Sequence, residues 1–211
     1  MSALAERAAD TITAERLIAI VRAGSADEAV LAAEALLAAG VRVIEVSLVT
    51  PGALSALTRL SESAGDERLI GAGTVRSRAD AVQATAAGAR FLVSPGLDPG
   101  VLGWSIANDV LHLPGALSPS EVGAALAGGA QLVKLFPAGR LGAGYVRDLL
   151  APFPEARLVP TGGVDGSNAR AFLDAGAVAV AVGAALVNPV TVADPEALGS
   201  AVRQLQSITR L

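Results

Sequence analysis

Leu17-Ile18-Ala19-Ile20-Val21, then the Ala/Leu-rich segment Ala26–Ala39, then Val41-Arg42-Val43-Ile44-Glu45-Val46-Ser47-Leu48 set the pattern for the whole chain. A short β-branched run gives way to a segment of helical length, and a second β-branched run follows. The unit recurs. Pro51 is expected to open a helix reaching Ser63, because a first helical turn does not need the missing N–H. Arg68–Ile70 is a third run leading into Gly71-Ala72-Gly73-Thr74, with a helix at Ser77–Ala87. Ala89–Val93 is the fourth, ended by Ser94-Pro95-Gly96 and followed by a less regular stretch, Leu97–Ala107. Asp109–Leu111 is the fifth, and Ser118 with Glu121 three residues on reads as a capping box for Pro119–Ala127. Ala130–Leu135, Arg157–Val159 and Val178–Val182 complete the series, with helices at Tyr145–Leu150, Asn168–Ala175 and Pro195–Gln206. Met1–Asp10 reads as a short leading helix.

Eight strand-like runs joined by helical lengths fit a (β/α)8 TIM barrel with a short N-terminal helix. Ala39-Gly40, Ala87-Gly88, Gly128-Gly129 and Ala175-Gly176 each stand just before a run, where glycine ends a helix. An open doubly wound sheet is the competing layout. It would place a glycine-rich dinucleotide turn after the first strand, and Arg22-Ala23-Gly24-Ser25 is not one. No linker or low-complexity block divides residues 1–211, so one domain is expected.

The composition narrows the function. Apolar residues make up 52% of the 211 and charged residues 17%, a globular balance rather than a disordered one. The net charge is −4 and no basic run occurs, which disfavours nucleic acid and anionic membranes as partners. There is no cysteine, so disulfides and thiolate chemistry are excluded. One histidine and no carboxylate cluster give a metal little to bind. No signal peptide or membrane-length apolar stretch is evident, and a cytoplasmic location is expected.

In a parallel barrel, chemistry gathers at the C-terminal strand ends. The reactive side chains there are Arg22, Glu45, Thr74, Ser94, His112, Lys134 and Thr161. Lys134 lies in the apolar string Gln131-Leu132-Val133-Lys134-Leu135-Phe136-Pro137. An amine held among apolar groups loses affinity for its proton and becomes nucleophilic. A structural lysine, ion-paired or reaching out of the mouth, is the alternative. Alternation puts Val41, Val43, Glu45 and Ser47 on one face, so Glu45 can point inward beside Lys134 as an acid or base. A salt bridge filling a polar layer is its alternative. Thr161-Gly162-Gly163 and Gly183-Ala184 have the form of phosphate-binding turns, or of tight turns that simply need glycine. His112 reads as a hydrogen-bonding residue at the barrel mouth rather than a ligand.

Taken together, these strings resemble the 2-keto-3-deoxy-6-phosphogluconate / 4-hydroxy-2-oxoglutarate aldolase family from about Leu17 to Leu186. The resemblance rests on Leu17–Arg22, Gly40–Val46, Gly71–Val75, Ser94–Gly96, Leu113–Gly115, Val133–Ala138, and Pro160–Val164 with Asn168. It implies a metal-independent class I aldolase with Lys134 as the Schiff-base lysine and Glu45 as the general acid/base. It implies Thr74 at the pyruvate carboxylate, Pro95 and Phe136 lining the pyruvate pocket, and Gly162, Gly163 and Gly183 at phosphate. It also implies no cofactor, a small 2-keto acid substrate with pyruvate as product, and a homotrimer.

The chain departs from the commonest pattern at two positions. Val49 stands where an arginine is usual, four residues after Glu45, and Ala184 where many members carry serine. Arg22 resembles the arginine that ends the first strand in the related 2-keto-3-deoxy-6-phosphogalactonate aldolases. The expected reaction is cleavage of a 2-keto-3-deoxy-6-phospho sugar acid, gluconate or galactonate type, to pyruvate and glyceraldehyde 3-phosphate. An unphosphorylated substrate such as 4-hydroxy-2-oxoglutarate stands beside it. So do a different sugar-phosphate barrel enzyme and a phosphosugar-binding protein.

Overall fold

The computed structural model describes residues 3–63, 65, 67–188, 191 and 194–209. It begins with helix α1, Ala3–Glu15, longer than the Met1–Asp10 expected; Met1 and Ser2 lie outside the described residues. Ala5, Ala8, Ala9 and Ile12 are buried at helical spacing, and they plug the bottom of an inner core. Asp109 receives the N–H groups of Leu4 and Ala5 at 3.3 and 3.0 Å, capping the helix from a distant loop.

Strands and helices then alternate. They are β1 Leu17–Val21, α2 Ala26–Ala38, β2 Val43–Ser47, α3 Ala53–Ser63, β3 Leu69–Gly73, α4 Arg78–Ala86, β4 Phe91–Val93 and α5 Pro99–Ala107. Next come β5 Leu111–Leu113, β6 Gly115–Ala116, α6 Pro119–Ala127, β7 Val133–Leu135, α7 Ala143–Leu150, β8 Leu158–Pro160, α8 Ala169–Asp174, β9 Val180–Val182 and α9 Pro195–Thr209. All pairings are parallel. A curled, open six-stranded sheet runs in the order β5-β4-β3-β2-β1-β9, and β6-β7-β8 form a second sheet.

Helices flank these sheets. The outward strand residues Ile44, Val46, Ile70, Ala72, Val133 and Leu135 pack in one large cluster with α2 to α9. The inward ones, among them Ile18, Val43, Leu69, Phe91, Leu111 and Val159, form the inner core together with Leu132 just ahead of β7.

Four local expectations are corrected. The fifth run sits later than Asp109–Leu111, and Pro114 divides it. Proline has no N–H to give a ladder, yet its carbonyl still accepts from Lys134 at 3.0 Å. The third run, expected at Arg68–Ile70, continues as strand through Gly73, because the missing side chains of Gly71 and Gly73 make room for Phe91 and Glu45. Leu97–Ala107 contains a regular helix. Asp98 caps it, accepting the Val101 N–H at 2.8 Å, and Pro99 fits the first turn. Pro51 lies in the turn ahead of α3 rather than inside it. The Ser118–Glu121 capping box is present as expected.

Candidate active site

The lysine and the glutamate share the inner face. Val133 and Leu135 pack outward against helices, so Lys134 between them points inward, as Leu132 does. Ile44 and Val46 do the same for Glu45, which follows Val43. Both groups are buried, at 7% and 2% exposure, which accounts for their proton affinities. Burial lowers the Lys134 amine below its ordinary value; the Glu45 charge opposes the shift and Arg22 adds to it. Burial raises the Glu45 carboxyl, against the pull of Lys134 and then Arg22. The two therefore drift toward a neutral amine and a neutral acid.

Phe136 covers this amine, with Lys134 Nζ 5.0 Å from the ring centroid. The same ring lies against Gly162, where an added Cβ would press on it at 2.8 Å. Phe136 thus lies near both the amine and the Thr161-Gly162-Gly163 turn. Gly162 and Gly163 have φ of +83° and +73°, a conformation that favours glycine. The Asn168 side chain holds that turn by donating to the Gly163 carbonyl at 2.8 Å. The Thr161 hydroxyl donates to the Val159 carbonyl at 3.1 Å. Gly183 follows β9, its carbonyl taking the N–H groups of Leu186 and Val187, and Ala184 is exposed. Among the described residues, the N–H groups of Gly162, Gly163 and Ala184 make no hydrogen bond.

Thr74, at the end of β3, has φ +60° and bonds its hydroxyl to Ser47 Oγ at 2.8 Å. Ser47 is fully buried on the Glu45 face and was not singled out by sequence, although the alternation places it there. Arg22 is exposed after β1 and acts electrostatically on both Lys134 and Glu45. Pro95 is exposed after β4, with its backbone packed on Gly115 so closely that a Cβ there would overlap it.

Ser94 and His112 are brought to each other, not to the lysine. Their strand neighbours Val93, Leu111 and Leu113 occupy the inner core, so both point outward, beneath the helices. There Ser94 Oγ and His112 Nε2 lie 2.7 Å apart. The mouth position expected for His112 is thus corrected. No group of three or more His, Cys, Asp or Glu able to hold a metal occurs among the described residues. No helix there is long and apolar enough to cross a membrane.

One further signal lies in the sequence: Lys134 is the single lysine of the chain. Every other basic side chain except the lone histidine is arginine, which does not deprotonate in proteins. Lys134 is therefore the one side-chain amine available for imine chemistry.

The family described as "Aldolase: KDPG and KHG aldolase" matches residues 9–199. The 2-dehydro-3-deoxy-phosphogluconate aldolase of Treponema pallidum is 38% identical over 159 residues, 75% of each chain. The 2-dehydro-3-deoxy-6-phosphogalactonate aldolase of Escherichia coli is 30% identical over 171 residues, 81% of this chain and 83% of that one. A crystal structure of the Legionella pneumophila KDPG aldolase, with pyruvate captured as a covalent carbinolamine, superposes with a TM-score of 0.85 at 29% identity. It covers 96% of this chain and 98% of the other. The chain belongs to the KDPG/KHG aldolase family.

Burial also makes His112 a pH-sensitive element of stability. Burial lowers its pKa from 6.5 to about 4, only partly opposed by the charge of Asp98. The unfolded chain takes up this proton near 6.5, the folded chain only near 4. Stability is therefore full above 6.5 and declines as pH falls toward 4, by roughly 3 kcal/mol. His112→Asn should flatten this decline in denaturant titrations from pH 7 to 4. An unaltered pH dependence in that variant would contradict the assignment.

Proposed function

We propose that this chain is a class I aldolase that cleaves a 2-keto-3-deoxy-6-phospho sugar acid to pyruvate and glyceraldehyde 3-phosphate. The observation that carries the reading is the chain's one lysine, buried with lowered proton affinity on the same inner face as a buried glutamate. The neutral Lys134 amine attacks the C2 ketone and gives a carbinolamine. Glu45 in its acid form donates its proton as water leaves, and an iminium forms. The resulting carboxylate takes the C4 hydroxyl proton through a water, and the C3–C4 bond breaks. The aldehyde departs and the bonding pair passes into the iminium, giving an enamine. Glu45 returns the proton to C3, and hydrolysis of the new iminium frees pyruvate and the amine.

In this reading Thr74 and Arg22 receive the pyruvate carboxylate, while Pro95 and Phe136 wall its pocket. The N–H groups of Gly162, Gly163 and Ala184, with Thr161 and Gly183, receive the phosphate. Related proteins carry names for both the gluconate and the galactonate substrate. Val49 and Arg22 favour the galactonate arrangement; an unphosphorylated keto acid is the second reading, favoured by the absence of a side-chain hydroxyl at Ala184.

The two sheets are read as arcs of one closed (β/α)8 barrel. Its supports are the Pro114 carbonyl accepting from Lys134 and the contacts joining β8 to β9. Those contacts are the Thr161–Ala181 bridge and the Val178 N–H on Leu158 O at 3.1 Å. One domain over residues 1–211, a homotrimeric assembly and a cytoplasmic setting complete the proposal.

Incubation with pyruvate followed by borohydride should add the mass of a reduced pyruvate adduct to the peptide carrying Lys134. Absence of the adduct, under conditions that trap a control aldolase, would sink the reading. Lys134→Ala should abolish cleavage while keeping its thermal unfolding transition, and near-normal cleavage would refute the mechanism. Arg22→Ala should raise KM for the keto acid about tenfold or more, as loss of a charge-assisted contact does. An unchanged KM would make Arg22 structural.

A further inference from the structure

The inward positions of β3 are Leu69, Gly71 and Gly73, so two of three carry no side chain. Each vacancy is filled from a neighbouring strand. The Phe91 ring from β4 occupies the space beside Gly71, and the Glu45 carboxyl from β2 occupies that beside Gly73. A Cβ on Gly73 would overlap Glu45 Oε1, Cδ and Cγ. In the ladder Glu45 stands opposite Gly71, and Gly73 is opposite Ser47. The Glu45 side chain therefore leans one inward position along the strand, toward the C-terminal end where Thr74 begins.

Hydrogen bonds do not fix that posture. Glu45 Oε2 is fully buried and unpartnered, and no hydrogen bond to the carboxyl occurs among the described residues. What limits the carboxyl is packing, and the bare Cα of Gly73 is one wall of its seat.

We propose that Gly73 is a positioning residue for Glu45, the seat that aims its carboxyl at the substrate carbon bound to Lys134. This rests on the aldolase reading. A methyl group at residue 73 turns the carboxyl away while leaving the amine in place. Imine formation, which draws on the same acid, slows but still runs to completion, and proton transfer at C3 fails.

Two readouts separate these steps in the purified full-length chain. Borohydride trapping of pyruvate, run to completion, reports the amine. Exchange of pyruvate methyl protons for deuterium, followed by proton NMR, reports proton transfer at C3. Gly73→Ala should still trap pyruvate while exchanging about a hundredfold more slowly, the range expected for loss of a general acid/base. Shortening the acid by one carbon eases the overlap, leaving Cγ in contact, so Gly73→Ala with Glu45→Asp should exchange roughly tenfold faster than Gly73→Ala alone. Gly71→Ala, which meets Phe91 instead, should lower thermal stability without slowing exchange relative to trapping.

Exchange by Gly73→Ala within about threefold of the parent would overturn the proposal. So would independent, multiplying effects of Gly73→Ala and Glu45→Asp. If Gly73→Ala alone does not fold, its combinations with Glu45→Asp and Glu45→Ala decide the matter. The combination with Glu45→Ala should fold, because Oε1, Cδ and Cγ are all removed, and that with Glu45→Asp should recover in part, because Cγ remains; failure of both would tie the glycine to something other than Glu45 and overturn the assignment. Failure of the parent chain to trap pyruvate would instead remove the aldolase reading itself.

Discussion

Burial of the Lys134 amine among apolar groups is the constraint on which the rest of the site depends. Moving an ammonium out of water costs several kcal/mol after relaxation, and each pKa unit corresponds to about 1.4 kcal/mol. Val133 and Leu135 face the helices, Phe136 covers the amine, and α1 closes the far end of the inner core. In that setting the amine gives up its proton more readily, and Glu45, under the same burial, holds its own more tightly. Coulomb attraction between them favours the charged pair, but desolvation is the larger effect on each group. A neutral nucleophile beside a neutral acid is what imine formation requires.

The local backbone serves the same end. Pro114 interrupts one strand yet supplies the carbonyl that holds the Lys134 N–H. Gly162 and Gly163 adopt the left-handed turn that leaves their N–H groups uncommitted, and Asn168 pins it from below. Ser47 bonds to Thr74 at the end of β3. These contacts come from β2 and β7 and from the segments that follow β3, β5 and β8.

Much of this was legible in the sequence. Alternation in Val41–Leu48 gave the inward face of Glu45, and an isolated lysine in an apolar run gave Lys134. The extension of the third run past Ile70 to Gly73 was not, because glycine has low strand propensity. Its reason lies in Phe91 and Glu45 on neighbouring strands, contacts that no local pattern reveals. His112 was misplaced for a related reason. A shift of two residues in the start of β5 changed it from a strand-end residue into one facing the helices. The helix at Pro99–Ala107 was obscured by Gly100 and Gly103, although Asp98-Pro99 carried a capping signal.

The substrate end depends on fewer side chains than the amine end. Val49 and Ala184 offer no charge or hydroxyl, and in the proposed function backbone N–H groups and Arg22 are left to discriminate among anionic substrates. The amine end is testable with unusual clarity, since a chain with one lysine gives one lysine signal. Carbon-13 labelling of the lysine ε position and NMR titration of the folded protein would report the Lys134 proton directly. A buried, desolvated amine titrates with a midpoint well below the ordinary value of 10.5, and a midpoint at or above 10.5 would contradict that burial controls Lys134.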